Sequence, residues 1–227
     1  MTRNRYRIAV AGAGNVGTYV AKDLMAKGHE VVLIDQSDES LAHARDELDG
    51  VSEVLGDACE LHTLDEAVLS SCDVVVAATG DDEDNLVISL LAKQEFAVPR
   101  VVARVNHPDN EWLFNEAWGV DVSVSTPHML TALVEEAVST GDLVRLLNLE
   151  QGKVFLLEVT LVEGSPAGGK TVGDLAMPPD CTLVAIIRDR HVIVPKAETP
   201  LRSGDEIMAL SSPQAEDDLK QVLTGES

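Results

Sequence analysis

The chain has 227 residues, 45% of them hydrophobic and only 3% aromatic, with 17 Lys and Arg against 39 Asp and Glu, a formal net charge of −22. That length holds a Rossmann-sized α/β domain followed by a small one. The absence of a Lys/Arg cluster argues against nucleic acid as a partner, because such binding rests on neutralising phosphates. The acidity reads either as solubility and mutual repulsion of copies or as complementarity to a basic partner surface.

Taken in chain order, the basic N-terminus runs directly into an apolar strand over 6–11 rather than into a signal segment. Gly12 to Gly17 turns into a helix in which Val16, Val20 and Leu24 share a face, with Gly28 expected as its left-handed C-cap. A second strand over 31–35 precedes a helix capped by Ser37, with Asp38 and Glu39 in its first turn, running to about Leu48. Then come a strand over 52–57, a helix over 60–69, a strand over 73–79, a helix over 84–96 and a strand over 100–105. A short helix over 111–118, a strand over 120–125 and a helix over 128–140 opened by Pro127 complete the rhythm. Six strands separated by helices predict a doubly wound parallel sheet, since parallel strands need helical crossovers.

After Leu143 the pattern changes to strands in close succession, over 155–162, 182–188, 191–195 and 206–210. A single turn over 172–175 and a terminal helix over 214–223 interrupt them, which predicts a small α+β domain. The expected division is therefore 1–143 and 144–227. No run approaches the ~20 apolar residues of a membrane helix, so any membrane role is expected to come through a partner. Cys59, Cys72 and Cys181 include no CxxC pair and read as reduced, cytosolic thiols, without a disulfide framework or zinc site.

The chemistry concentrates at one motif. Gly12-Ala13-Gly14-Asn15-Val16-Gly17 is G-x-G-x-x-G, placed directly after a strand and opening a helix. Gly12 permits the tight turn, Gly14 lets main-chain N–H groups approach a pyrophosphate, and Gly17 lets helix and strand pack closely. Asp35, at the end of the second strand, has the spacing of a carboxylate that accepts from ribose hydroxyls and repels a 2′-phosphate, which disfavours NADP. With strand order 3-2-1-4-5-6, Gly56, Asp57 and Ala58 flank an adenine pocket and Thr79-Gly80 sits over the ligand. Arg104, on an otherwise apolar strand, calls either for a phosphate or for an ion pair with Asp81 or Asp82.

Catalytic machinery is not legible. A short-chain dehydrogenase needs Lys four residues after Tyr, but Tyr6 and Tyr19 are followed there by Val10 and Asp23. His29, His43, His62, His107, His128 and His191 are scattered and read as surface residues. A small NAD-dependent oxidoreductase is the alternative to a non-catalytic binding protein; a redox-sensing transcription factor lacks a DNA-binding module.

These glycines, with the strand over 31–35, Gly56-Asp57-Ala58, the stretch 74–80 with Asn85, and Ala103-Arg104-Val105-Asn106, together resemble the TrkA family. Its members are the cytosolic RCK, or KTN, subunits of bacterial Trk and Ktr potassium uptake systems. The part after Phe155, with the turn Leu201-Arg202-Ser203-Gly204-Asp205, resembles the RCK C-terminal domain. The resemblance implies a non-enzymatic regulatory subunit, cytoplasmic and peripheral at the inner face of the membrane. It implies a homodimer or octameric ring, with or without a paralogous subunit, beneath a membrane-embedded potassium pore subunit. It also implies an adenine nucleotide, NAD or NADH first, with ADP, ATP or AMP as alternatives. Carried over by position, Gly12, Gly14, Asn15, Val16 and Gly17 contact phosphates, Asp35 the ribose, and Asp57 and Ala58 the adenine. Thr79, Gly80 and Arg104 complete the pocket.

Two positions depart from the Ktr-type pattern, which has Arg where this chain has Asn15 and an acid near His128; both departures weaken recognition of a γ-phosphate through a cation. In some relatives the C-terminal domain binds cyclic di-AMP, and Ile187, Arg188, Ile193 and Pro195 resemble that stretch. The alternative is that these isoleucines are hairpin core.

Overall fold

A computed structural model describes residues 5–138, 141–149 and 153–225. Two compact units divide between Pro127 and His128.

In the first unit, six parallel strands form one sheet in the order β3-β2-β1-β4-β5-β6. They are β1 (Arg7–Ala11), β2 (Glu30–Asp35), β3 (Ser52–Leu55), β4 (Val74–Ala77), β5 (Arg100–Val105) and β6 (Val122–Ser125). The crossovers carry α1 (Asn15–Ala26), α2 (Asp38–Glu47), α3 (Leu61–Glu66) and α4 (Asp82–Gln94). Period-2 geometry sends alternate side chains to opposite faces, and both faces are dry. Ile8, Val10, Val31 and Leu33 pack with Leu41 and Leu48 on one side. Ala9, Ala11, Val32, Ile34, Val75 and Ala77 pack with Leu64, Leu86 and Ile88 on the other. The chain steps outward from β1 to β3 and then returns to β4 on the far side of β1. This reversal opens a crevice beyond the carboxyl ends of β1 and β4.

Local chemistry accounts for most boundaries. Ser37 accepts from the Ser40 N–H at 3.2 Å and starts α2. Asp81 does the same for α4, accepting from the N–H groups of Glu83 and Asp84, so α4 begins before the expected position 84. Gly28 takes φ +90° just after α1, as expected. Two expected helices are corrected. The one over 60–69 stops at Glu66, because Val68 turns left-handed at φ +53° and a 3-10 turn, Leu69–Ser71, follows. The one over 111–118 is two 3-10 segments, Pro108–Leu113 and Glu116–Trp118, separated where Asn115 leaves helical geometry and its side chain accepts from the Ala117 N–H.

Helix α5 (Thr126–Val138) spans the division, so most of it is grouped with the second unit rather than with the expected domain 1–143. Composition does not mark this division, because α5 continues the strand-helix rhythm of the first unit without a break. The last two positions of the helix expected to end at Thr140 lie outside the described residues, as do residues 1–4 of the basic N-terminus.

The second unit holds an antiparallel sheet in the order β10-β9-β11-β8-β7. Its strands are β7 (Val144–Leu149), β8 (Val154–Thr160), β9 (Cys181–Arg188), β10 (His191–Ile193) and β11 (Glu206–Ser211). Phe155, Leu157, Val159, Ile186 and Ile207 join Leu219 and Leu223 of the terminal helix α6 (Glu216–Thr224) in a one-sided core. Strand β7 was not anticipated, because Arg145 and Asn148 interrupt its apolar run. Arg145 is accommodated by stacking over Phe155, 3.7 Å from the ring centre, and by pairing with Glu216 at 2.5 Å.

Candidate functional site

The crevice at the strand ends is a cleft of about 570 Å³. Ten of the eleven residues expected at a ligand line it: Gly12, Gly14, Asn15, Val16, Asp35, Asp57, Ala58, Thr79, Gly80 and Arg104. Gly17 does not. It is buried at the base of α1, where a Cβ would run into the carbonyl oxygen of Gly12, so its role is packing of the loop. Gly12, at φ +105°, could not carry a side chain either, since a Cβ would lie 2.8 Å from the Ala78 carbonyl oxygen. Gly14 differs, for nothing lies within 4 Å of its missing Cβ. The open side of that main chain is what a diphosphate can approach.

Asp35 braces the loop. Its Oδ2 accepts from the Ala13 N–H at 2.6 Å and its Oδ1 from the Ser37 N–H at 2.8 Å. Each carboxylate oxygen has a second lone pair, so acceptance from a ribose hydroxyl is still available. Just after the next strand, Asp57 lines the cleft and its Oδ1 accepts from the Cys59 N–H at 2.8 Å.

Sequence reasoning missed Gln36, Ser40, Cys59, Asp81, Asp84 and Ile88 as lining residues. They follow strand ends, and only the assumed strand order could have gathered them. Cys59 lies between the β3 loop and α4, its Sγ 3.9 Å from the Asp84 carbonyl oxygen. Burial, helped by the negative charges of Asp84 and Asp57, pushes its thiol up to about 12.

Arg104 is the cation of the lining, which it shares with Asp35, Asp57, Asp81 and Asp84. Its Nε is buried and, among the described residues, without a hydrogen-bond partner. Among the described residues the expected alternative, an ion pair with Asp81 or Asp82, does not form. Asp81 caps α4, and Asp82 accepts from Asn106, His107 and Asn110.

Elsewhere, five of the six histidines are exposed and His29 is half-buried, its Nδ1 accepting from the Tyr6 N–H at 3.2 Å. Among the described residues no group of His, Cys, Asp and Glu is arranged to hold a metal ion, and no helix is long and apolar enough to cross a membrane. Arg188, in the stretch that resembles a cyclic di-AMP site of some relatives, is committed internally. Its Nε and one terminal nitrogen meet both oxygens of the buried Asp205 at 2.6 and 2.7 Å, and the latter nitrogen also reaches the Pro200 carbonyl.

Residues 8–126 match the TrkA-N domain and residues 156–224 the TrkA-C domain. The chain belongs to the TrkA family. This TrkA-family chain is 53% identical over 224 residues to the Trk system potassium uptake protein TrkA of Mycobacterium tuberculosis (strain H37Rv), covering 96% of this chain and 98% of that one. It is 31% identical over 218 residues to a TrkA homolog of Methanothermobacter thermautotrophicus, covering 96% and 99%. Among solved structures, the GsuK channel shares the fold at a TM-score of 0.64 and 19% identity, with all of this chain covering 41% of that one. GsuK bound to NAD matches at 0.64 and 18%, with the same coverage. At these identities the likeness is one of fold: a parallel nucleotide-type sheet followed by a small antiparallel domain.

Proposed function

We propose that this TrkA-family chain is a nucleotide-sensing regulatory subunit of a potassium uptake system, binding an adenine nucleotide without transforming it. The observation that carries the proposal is the cleft itself. A glycine loop with an open face at Gly14 shares the cleft lining with Arg104, which no side-chain hydrogen bond or ion pair holds among the described residues. An anion is complementary to both, as main-chain N–H groups at a helix start and a guanidinium group suit phosphate. In this reading Gly12, Gly14, Asn15 and Val16 cradle the phosphates and Asp35 takes the ribose. Asp57 and Ala58 take the adenine, and Thr79, Gly80 and Arg104 close the far end.

NAD or NADH is the proposed ligand ahead of ADP, ATP or AMP. Four carboxylates against a single arginine oppose a highly charged triphosphate. The GsuK channel, which has the same fold, is solved both with NAD and with ADP, which supports an adenine nucleotide as the ligand class. The names of the relatives support a potassium-transport partner in the membrane. The proposed location is cytoplasmic, at the inner face of the membrane through that partner. Assembly with further copies is supported by α5, where Met129, Leu130, Leu133 and Val134 expose 40 to 63% of their surface. Ligand binding would alter the partner only by as much as it favours one arrangement of the assembly over another.

The test is thermal unfolding with NAD, NADH, ADP, ATP and AMP, alongside an assay of NADH oxidation with small carbonyl substrates. A ligand at 100 times its Kd adds about 2.7 kcal/mol if it binds only the folded chain. Stabilisation without turnover is the expected result, and hydride transfer would instead favour the oxidoreductase alternative.

A further inference from the structure

Two buried side chains that do not line the cleft converge on the main chain around Arg104. Asp82 and Asn85 stand three residues apart in the first turn of α4, hence on one face of it. Asn85 is fully buried. Its amide oxygen accepts from the Thr79 N–H at 2.9 Å and the Thr79 hydroxyl at 2.8 Å, and its Nδ2 donates to the Arg104 carbonyl at 3.0 Å. Asp82 is 2% exposed. Its Oδ1 accepts from the Asn106 N–H at 2.6 Å and the Asn106 side chain at 3.1 Å. Its Oδ2 accepts from the His107 N–H and from Asn110, both at 2.9 Å. The chain is thus gripped just before and just after Val105, and the Asn106 amide closes the circuit on the Thr79 carbonyl at 3.2 Å.

The guanidinium that this main chain presents has no comparable support. Among the described residues no side-chain hydrogen bond or ion pair holds Arg104, and its Nε is orphaned. Its position in the cleft is therefore inherited from the main chain. A phosphate contact tolerates misplacement of only about 0.5 Å before it weakens, whereas a fully satisfied buried network is rigid. We propose that Asn85, seconded by Asp82 and Asn106, is a positioning residue that holds Arg104 where it meets the phosphates of the bound nucleotide. The proposal rests on the nucleotide reading above. It adds that α4 serves recognition from behind the cleft, tying the end of β4 to the end of β5.

The test is a double-mutant cycle on the full chain, with ADP and adenosine titrated calorimetrically into wild type, Asn85→Ala, Arg104→Ala and the double variant. Arg104→Ala is expected to weaken ADP by about tenfold or more, the cost of a charge-assisted contact. Asn85→Ala is expected to weaken ADP to a similar degree while leaving adenosine, which has no phosphate, within about threefold. The double variant should then be no weaker than Arg104→Ala alone. A residue that merely supports the fold would lower the melting temperature and leave this pattern absent. Unchanged ADP affinity in folded Asn85→Ala, equal losses for ADP and adenosine, or multiplying effects in the double variant would each overturn the proposal. If Asn85→Ala does not fold, Asn106→Ala carries the same comparison, because it removes the amide that donates to Thr79 and Asp82 while the Asn106 N–H to Asp82 stays, and it lies outside the cleft lining. Its expected loss for ADP is about threefold or more, vanishing in the Arg104→Ala background, and an unchanged affinity overturns the proposal. Wild type that binds neither ADP nor NAD sinks the nucleotide reading itself, and the positioning role with it. Wild-type binding with indifferent variants sinks the positioning role alone.

Discussion

Asp35 accepts the Ala13 N–H at 2.6 Å, so the residue expected to read the ribose also clamps the glycine loop to the end of β2. With the second bond from Ser37 it holds two turns at once. Asp35→Ala should therefore lower the stability of the ligand-free protein by about 2 kcal/mol, the scale of losing hydrogen bonds to a charged group, as well as weaken NAD. Urea unfolding in the absence of nucleotide separates the two effects. An unchanged midpoint would mean that the carboxylate matters only to the ligand.

The three motif glycines should behave differently on substitution by alanine. Gly17→Ala and Gly12→Ala force a Cβ against main-chain oxygens and should destabilise the fold severely. Gly14→Ala meets open space at an extended φ of −72°. It should melt within a few degrees of wild type while losing most of its affinity for NAD, because the methyl occupies the approach to the main chain. Melting curves and NAD titrations of the three variants distinguish the roles.

Acid stability should report Asp82. Burial opposes its charge, but the hydrogen bonds from Asn106, Asn110 and His107 outweigh burial and hold its pKa below the ordinary carboxylate value of 3.8. A carboxyl group with a depressed folded pKa stabilises the fold above its unfolded value, and that contribution disappears as pH falls through the folded value. The window therefore lies below about pH 4. Asp82→Asn should be less stable than wild type at pH 7, and the gap should narrow as the pH is lowered through that window. Denaturant midpoints at pH 7, 5, 4 and 3 measure it; a constant gap would remove Asp82 from the acid response.

Cys59 offers a probe of the cleft. With its thiol pushed up to about 12, the thiolate fraction at pH 8 is about a thousandfold below that of a peptide cysteine. Alkylation by iodoacetamide, read by peptide mass spectrometry, should be correspondingly slow and slower still with NAD present. Rapid labelling in the folded protein would contradict the half-buried, acid-flanked position.

In the second unit, Arg188→Ala strands the buried carboxylate of Asp205 and should cost about 3 kcal/mol, the scale for removing one partner of a buried pair. Because Arg188 is held at three points, cyclic di-AMP is expected to give no thermal stabilisation through it. Stabilisation that disappears in Arg188→Ala would show that the pair opens for a ligand.

The first sheet and most of the cleft were legible because their signals are local. Strand alternation, the spacing of Gly12, Gly14 and Gly17, the Ser37 cap and Asp35 at a strand end each depend on neighbours within a turn or two. Their placement also follows from the rule that puts ligands at the carboxyl ends of parallel strands. Strand β7 escaped because Arg145 breaks the apolar run; the side chain stays exposed, stacks on Phe155 and pairs with Glu216, 71 residues away.

By itself, then, the sequence determined the doubly wound sheet, the glycine loop and the strand-end residues Asp35, Asp57, Ala58, Thr79, Gly80 and Arg104 that face the crevice, while Gln36, Ser40, Cys59, Asp81, Asp84 and Ile88 joined them only through packing. Only the tertiary structure decided which polar side chains are spent and which remain free. Asp82 could have paired with Arg104, yet docking of β5 beside β4 brings the N–H groups of Asn106 and His107 to it first. Arg188 could have faced a ligand, yet the turn before β11 delivers Asp205 to it. A polar group takes whichever partner is within about 3 Å once the backbone is placed, and that competition among residues 17 to 28 positions apart is invisible until the strands have packed.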